Sequence, residues 1–310
     1  MKHLLVVGTA TLALLVSAPA AFCQAVLDTT EVIEFDRPEA WAMKRSASLT
    51  LFTALQPPRD REAGSIELAF ELGWNPNLSD EERRVGFNGT KVEDLNRLAV
   101  VPRPRITVGL GRKWSLEAAY IPPIEVEDIT PNILSLAIER PVWRLNEWVV
   151  GVRGYGQVGT VEGDITCTEG EASLPPGEPG NEFGCEAPSE DEVTLNYAGL
   201  GLTGGYRLPG TSGSAVHFGV YATHMDLEFQ VDALTFGVRD RTTLVTDGWT
   251  YSLTAGFSWA LGRPTRLALE AFYSPLSVDR PVLDEEPGAP SVESRNDALF
   301  NLRAMFSYAF

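Results

Sequence analysis

The chain has 310 residues, with 25 Lys and Arg against 42 Asp and Glu and a net charge of −17. That acidity excludes a nucleic-acid partner, because phosphate binding needs a clustered basic surface, and 44% hydrophobic residues exclude a disordered chain. Beyond the N-terminus no apolar run reaches the roughly 18 residues of a spanning helix, which excludes a helical membrane protein.

Lys2 and His3 precede the apolar run Leu4 to Val16 and the small residues Ser17-Ala18-Pro19-Ala20-Ala21. This pattern predicts a secretory signal peptide over residues 1–25, cleaved between 20 and 25. Cys23 follows Phe22, where a lipid-modified cysteine needs a small residue, so no lipidation is expected. Residues 26–45 read in two ways. Val26 to Phe35 could be a wall strand, or the whole segment a periplasmic plug with a short helix over Pro38 to Lys44, since proline suits a first helical turn.

From residue 46 onward the signal is period-two alternation. Leu49, Leu51, Thr53 and Leu55 alternate, as do Ile66 to Trp74, Ile106 to Leu110, Leu116 to Tyr120, Leu134 to Val142 and Trp148 to Val152. Val193, Leu195 and Tyr197 continue, with a phase slip before Leu200 that reads as a bulge. Val216 to Ala222 and Trp249 to Leu261 follow, then Leu267 to Tyr273 and Phe300 to Phe310. Eleven alternating sets and no comparable 3.6-residue pattern make an all-β chain. Short links near residues 56–62, 111–114, 143–146, 208–213 and 262–264 alternate with long ones. That asymmetry predicts an antiparallel transmembrane β-barrel over residues 46–310, with short periplasmic turns and long outer loops. With both termini periplasmic the strand number is even, so Val26 to Phe35 would supply the twelfth strand, ten or fourteen being compatible.

Phe306, Tyr308 and Phe310 alternate up to the terminal residue. This ending resembles the C-terminal assembly signal of bacterial outer-membrane β-barrel proteins. The resemblance implies an outer-membrane location, lipid around the barrel and contact with the barrel-assembly machinery through the last strand. It is silent on activity.

The polar face carries the candidates for function. Arg105, Glu117, Glu139, Arg153, Tyr155, Glu270 and Arg303 would line a lumen and set selectivity, or form a lattice of ion pairs that fills it. His217 is expected in the lumen, yet neither it nor His224 has a Ser partner and an orienting carboxylate at convincing spacing, so no enzyme is expected. Cys167 and Cys185 lie in a Gly-, Pro- and Glu-rich stretch, which in an exported chain predicts a disulfide. With no further His or Cys nearby, neither a metal site nor a cofactor is expected. The acidic loop 164–192 lacks EF-hand spacing, and Gly86 to Lys91 lacks that of a phosphate loop. The expectation is a monomeric barrel for passive passage of a small or hydrophobic solute. The alternatives are a non-conducting structural or surface-interaction barrel and a barrel-embedded hydrolase.

Overall fold

The computed structural model describes residues 25–211, 213–262, 264–282 and 291–310, so the expected signal peptide and Cys23 lie outside the described residues. Ten strands form the barrel: β1 (Ile66–Trp74), β2 (Val100–Gly111), β3 (Trp114–Ile121), β4 (Ile129–Leu145), β5 (Trp148–Gly163), β6 (Asp191–Arg207), β7 (Ala215–Gln230), β8 (Thr243–Ala260), β9 (Thr265–Ser274) and β10 (Leu299–Ala309). Each pairs antiparallel with its neighbours in sequence, and β10 returns to β1 through Ala304↔Leu72 and Tyr308↔Leu68, which closes the ring.

The alternation seen in the sequence is the division between the two faces of this wall. On β8, Trp249, Tyr251 and Leu253 are exposed on the outside, whereas Thr250, Ser252 and Thr254 are buried inside. The same holds for Leu134, Leu136 and Leu68, Phe70, Leu72 on the outer surface. Rings gather at one end of this apolar band, where Trp148 meets Tyr206 at 4.8 Å, Phe257 meets Trp259 at 4.3 Å and Tyr308 meets Phe310 at 4.8 Å. That end carries the tight turns. Arg112 and Lys113 both adopt positive φ between β2 and β3, as does Asn146 between β4 and β5, the geometry of a two-residue hairpin. At the other end, the long links 164–190 and 275–298 contain a disulfide between Cys167 and Cys185 and a two-stranded hairpin, respectively. The wall is uneven in height, because β4 to β8 have 16 to 18 residues whereas β1, β3 and β9 have 8 to 10.

Four expectations need correction. The closed ring has ten strands, not twelve. Residues 49–55 alternate but form no strand, because they run extended through the lumen with Leu51, Phe52, Thr53 and Leu55 all fully buried. Of Val26 to Phe35, Thr30–Val32 pairs with the barrel as a parallel strand laid against Thr243–Val245 outside the ring, while Ala25–Leu27 pairs with Val238–Asp240 in a separate small sheet. The phase slip in β6 is not a bulge, for its register against β7 is unbroken from Glu192↔Gln230 to Arg207↔Ala215. It marks the height where apolar residues pass from the inner face (Leu195, Tyr197) to the outer face (Leu200, Leu202).

The inner apolar residues exist because the lumen is occupied. A helix, α1 (Pro38–Leu49), starts with proline and Glu39 in its first turn and lies under the long loops. It therefore sits at the loop end of the barrel. Around it, Trp41, Met43 and Ala47 pack with Ile133, Leu195, Tyr197 and Leu227 in one apolar cluster. The chain then descends to the short-turn end, where Pro57 and Pro58 press on the wall. A Cβ on Gly205 would stand 2.5 Å from Pro57, and one on Gly151 would stand 2.7 Å from Pro58. Glycine at these two positions is what lets the plug approach so closely.

Candidate functional site: a plugged lumen with an apolar chamber

The middle of the lumen is a charged layer built around one ring. The guanidinium carbons of Arg103, Arg105 and Arg153 stand 5.1, 4.3 and 5.0 Å from the centre of the Phe52 ring. Each arginine also donates to the plug backbone: Arg103 to the Thr50 carbonyl at 2.6 Å, Arg105 to Thr53 at 2.6 Å and Arg153 to Phe52 at 3.2 Å. Arg303 donates to the carbonyls of Ser48 at 3.0 Å and Leu51 at 2.6 Å. The last carbonyls of α1, which no intrahelical N–H can reach, thus find positively charged donors at the negative end of the helix dipole.

Four carboxylates balance these four arginines. Glu71 holds Arg103 through two bonds of 2.9 Å, and Glu117 pairs with Arg105 at 2.9 Å and with Arg153 at 2.7 Å. Glu139 lies 3.8 Å from Arg153 and accepts from Thr203 at 2.8 Å. Glu270 accepts from the plug residue Thr53 at 2.7 Å. Buried charges are tolerable only when paired and hydrogen-bonded, and here the plug backbone supplies the missing acceptors.

The structure therefore gathers Arg105, Glu117, Glu139, Arg153, Glu270 and Arg303 at one height, around the plug rather than around open space. Tyr155 stands above them, bonded to Thr223 at 2.7 Å and edge-on to Tyr197 and Tyr221. Sequence reasoning missed Phe52 and Arg103 as members of this layer. A signal was present: in Leu49 to Leu55 the residue between the leucines is Phe52, so both faces of that segment are apolar and neither suits water.

His217 points into the lumen 3.7 Å from Glu270, but neither ring nitrogen has a hydrogen-bond partner among the described residues, and the Thr53 hydroxyl is committed to Glu270. His224 is on the outward face, edge-on to Trp249 at 5.3 Å. No group of three His, Cys, Asp or Glu among the described residues is arranged to hold a metal ion. Phe306, Tyr308 and Phe310 run along the outside of β10 to the seam with β1, where the Phe310 N–H donates to Ile66 at 2.8 Å.

Above the charged layer, between α1 and the wall of β2, β3, β4 and β6, lies an apolar chamber of about 560 Å³. Leu49 of α1 and the wall residues Ile121, Ile133 and Leu195 bound it. Its charged lining groups are Arg45, Asp94 and Arg97, of which Arg45 donates to Asn75 at 2.9 Å and to the Pro76 carbonyl at 2.7 Å. Burial pushes the Arg45 guanidinium down to about 10, against the opposing pull of Glu82. Next to the chamber, a second, wider and strongly polar hollow of about 590 Å³ opens at the loop end. It shares Asp94 and Arg97 with the chamber and adds Asp164, Glu169 and Glu171.

No protein-family model matches the chain, and no curated protein matches it in sequence. Solved structures do resemble it. The translocator domain of the autotransporter NalP from Neisseria meningitidis aligns over 86% of this chain and 92% of its own, at 11% identity and a TM-score of 0.38. The toluene transporter TodX from Pseudomonas putida aligns over 93% and 85%, at 13% identity and 0.35. The outer membrane protein OmpT of Vibrio cholerae, a trimer, aligns over 67%, at 10% identity and 0.27, and this chain spans only 55% of its length. All three are bacterial outer-membrane proteins. At such scores the likenesses carry no argument about mechanism, and the closed barrel rests on its own strand pairing.

Proposed function

We propose that the chain spans the bacterial outer membrane, with its tight turns in the periplasm and its long loops outside, and that it takes up a small apolar solute into the chamber beside α1. The observation that carries this reading is the chamber itself. Pockets of this size that are mostly apolar with a few polar groups at the edge are those that bind small molecules. An apolar space of 560 Å³ beneath a polar hollow is what a solute arriving from water and leaving water behind requires. The outward band of Leu, Phe and Val, with its aromatic clusters at the short-turn end, supports the membrane placement, because a closed barrel in lipid turns an apolar band outward. The charged layer below α1 packs against the plug around Phe52, which supports capture of a solute over conduction of ions.

The test uses 1-aminoanthracene as the probe with the barrel in lipid nanodiscs. Saturable fluorescence enhancement is expected, and Leu195→Trp, which fills the chamber without touching the charged layer, should abolish it. Absence of saturable binding, or binding unchanged by that substitution, would sink the proposal.

A further inference from the structure

We propose that the chamber opens sideways, through a breach in the wall between β2 and β3, and that its solute passes directly between the chamber and the acyl chains of the surrounding lipid. The inference rests on the chamber being a solute site. It adds the route, and with it the solute class: uncharged, apolar molecules that partition into membranes.

The pairing of β2 carries the argument. Along its β1 side the register runs without interruption from Ile66↔Val108 through Phe70↔Pro104 and Leu72↔Pro102 to Trp74↔Val100. Along its β3 side the pairing stops at Arg105↔Ala119, although β2 continues to Val100 and β3 continues to Ile121. The cause can be read from hydrogen bonds at both ends of the β1 ladder. The Gly109 N–H donates to Ser65 at 2.9 Å and the Asn75 N–H donates to Ala99 at 2.9 Å. Backbone groups alternate sides along a strand, so odd-numbered residues of β2 bond β1 and even-numbered ones face β3. Of the even-numbered residues beyond the break, the two next to it are Pro104 and Pro102, which have no N–H to offer, and only Val100 at the strand's end keeps one. Facing them, β3 ends in Ile121 followed by Pro122 and Pro123. Four prolines thus flank a stretch of wall that cannot zip. They also remove N–H donors that would otherwise stand unsatisfied in lipid, where such groups cost several kcal/mol.

The chamber lining gives the second, independent observation. Ile121, Ile133 and Leu195 are buried on the inner face of the wall, whereas Phe70, Pro102 and Pro104 lie on its exposed outer face. All six border the same cavity. A sealed wall would separate them. Phe70 stands between Leu68 and Trp74 on the outward face of β1, within the apolar band, so the breach meets hydrocarbon and not water.

The experiment places the barrel in nanodiscs containing a phospholipid with a diazirine on its acyl chain, followed by illumination and peptide mapping. Label is expected on the inward residues Ile121, Ile133 and Leu195. In the double variant Pro102→Val, Pro104→Val, which restores two donors toward β3, that inward label should be lost. Inward residues unlabelled in the native barrel, or labelled equally in the double variant, would overturn the breach. The native pattern alone decides should the double variant not fold. Loss of probe binding in the native barrel strikes the chamber reading instead, and leaves inward labelling free to support the breach.

Discussion

Phe52 is the residue on which the lumen is organised. It is fully buried, three guanidinium groups face its ring, and its own carbonyl accepts from Arg153 at 3.2 Å. An aromatic ring attracts cations to its two negative faces, and such contacts are worth more when desolvated. Truncation would remove the volume that keeps the arginines apart and the surface that attracts them. Phe52→Ala should therefore destabilise the folded barrel by about 3–5 kcal/mol, measured as denaturant unfolding in lipid. Phe52→Leu, which keeps most of the volume, should lose less. A Phe52→Ala midpoint equal to that of the native protein would show that the charged layer holds without its centre.

At the scale of elements, the long loops form a cap that locks onto α1 through buried charges. Arg280 lies 5.1 Å from the Trp41 ring and donates to the carbonyls of Glu81, Glu82 and Arg84. Lys44 on α1 bonds Asp36 at 3.2 Å and the Ser277 carbonyl at 2.9 Å. Burial raises the Asp36 carboxyl, but the Ser277 hydroxyl and Lys44 outweigh it and hold it below its ordinary value. Glu93 behaves in the opposite way. It lies against Gly86, where a Cβ would stand 1.9 Å from its Oε1. Burial first, and the nearby charges of Glu171 and Asp191 after it, push its carboxyl up to about 7 in spite of Lys91 at 2.9 Å. The folded cap therefore binds a proton that the opened cap, with a carboxyl near 4.5, releases. The contribution of Glu93 to its stability is greatest at or below pH 4.5, falls as pH rises towards 7 and is level above that. Amide exchange in segments 83–95 and 164–172, corrected for its intrinsic pH dependence, should be slower at pH 5 than at pH 8. Glu93→Gln should flatten the difference, and an unchanged pH response in that variant would assign the effect elsewhere.

At the scale of the whole molecule, the first and last of the described residues lie at opposite ends of the barrel. Phe310 closes against Ile66 at the short-turn end, whereas Ala25–Leu27 pairs with Val238–Asp240 at the loop end. The segment between Leu27 and Ile66 must therefore cross the lumen before the first strand starts, and the ring closes around it. This gives the proposed membrane orientation a direct check. An epitope inserted between Asp28 and Thr29 should be labelled by antibody on intact cells. Protection of that epitope until the outer membrane is permeabilised would reverse the orientation.

Much of this was decided by the sequence alone. Alternation of apolar and small or polar residues follows from backbone geometry, so the positions of the ten wall strands were legible, from Ile66 to Trp74 through Phe300 to Phe310, and the paired cysteines as well. Local pattern could not tell a wall strand from an extended segment surrounded by wall. Leu49 to Leu55 has the same period as its neighbours, and only the pairing of β10 with β1 excludes it and fixes the ring at ten. Nor could it show that Arg105, Glu117, Arg153 and Arg303 grip a plug rather than line a bore, since contacts among β2, β3, β5, β10 and the N-terminal segment link residues far apart in sequence. The prolines at 102, 104, 122 and 123 were visible from the start. Their meaning depended on which strand their nitrogens face, and that is a property of register, which the tertiary structure alone decides.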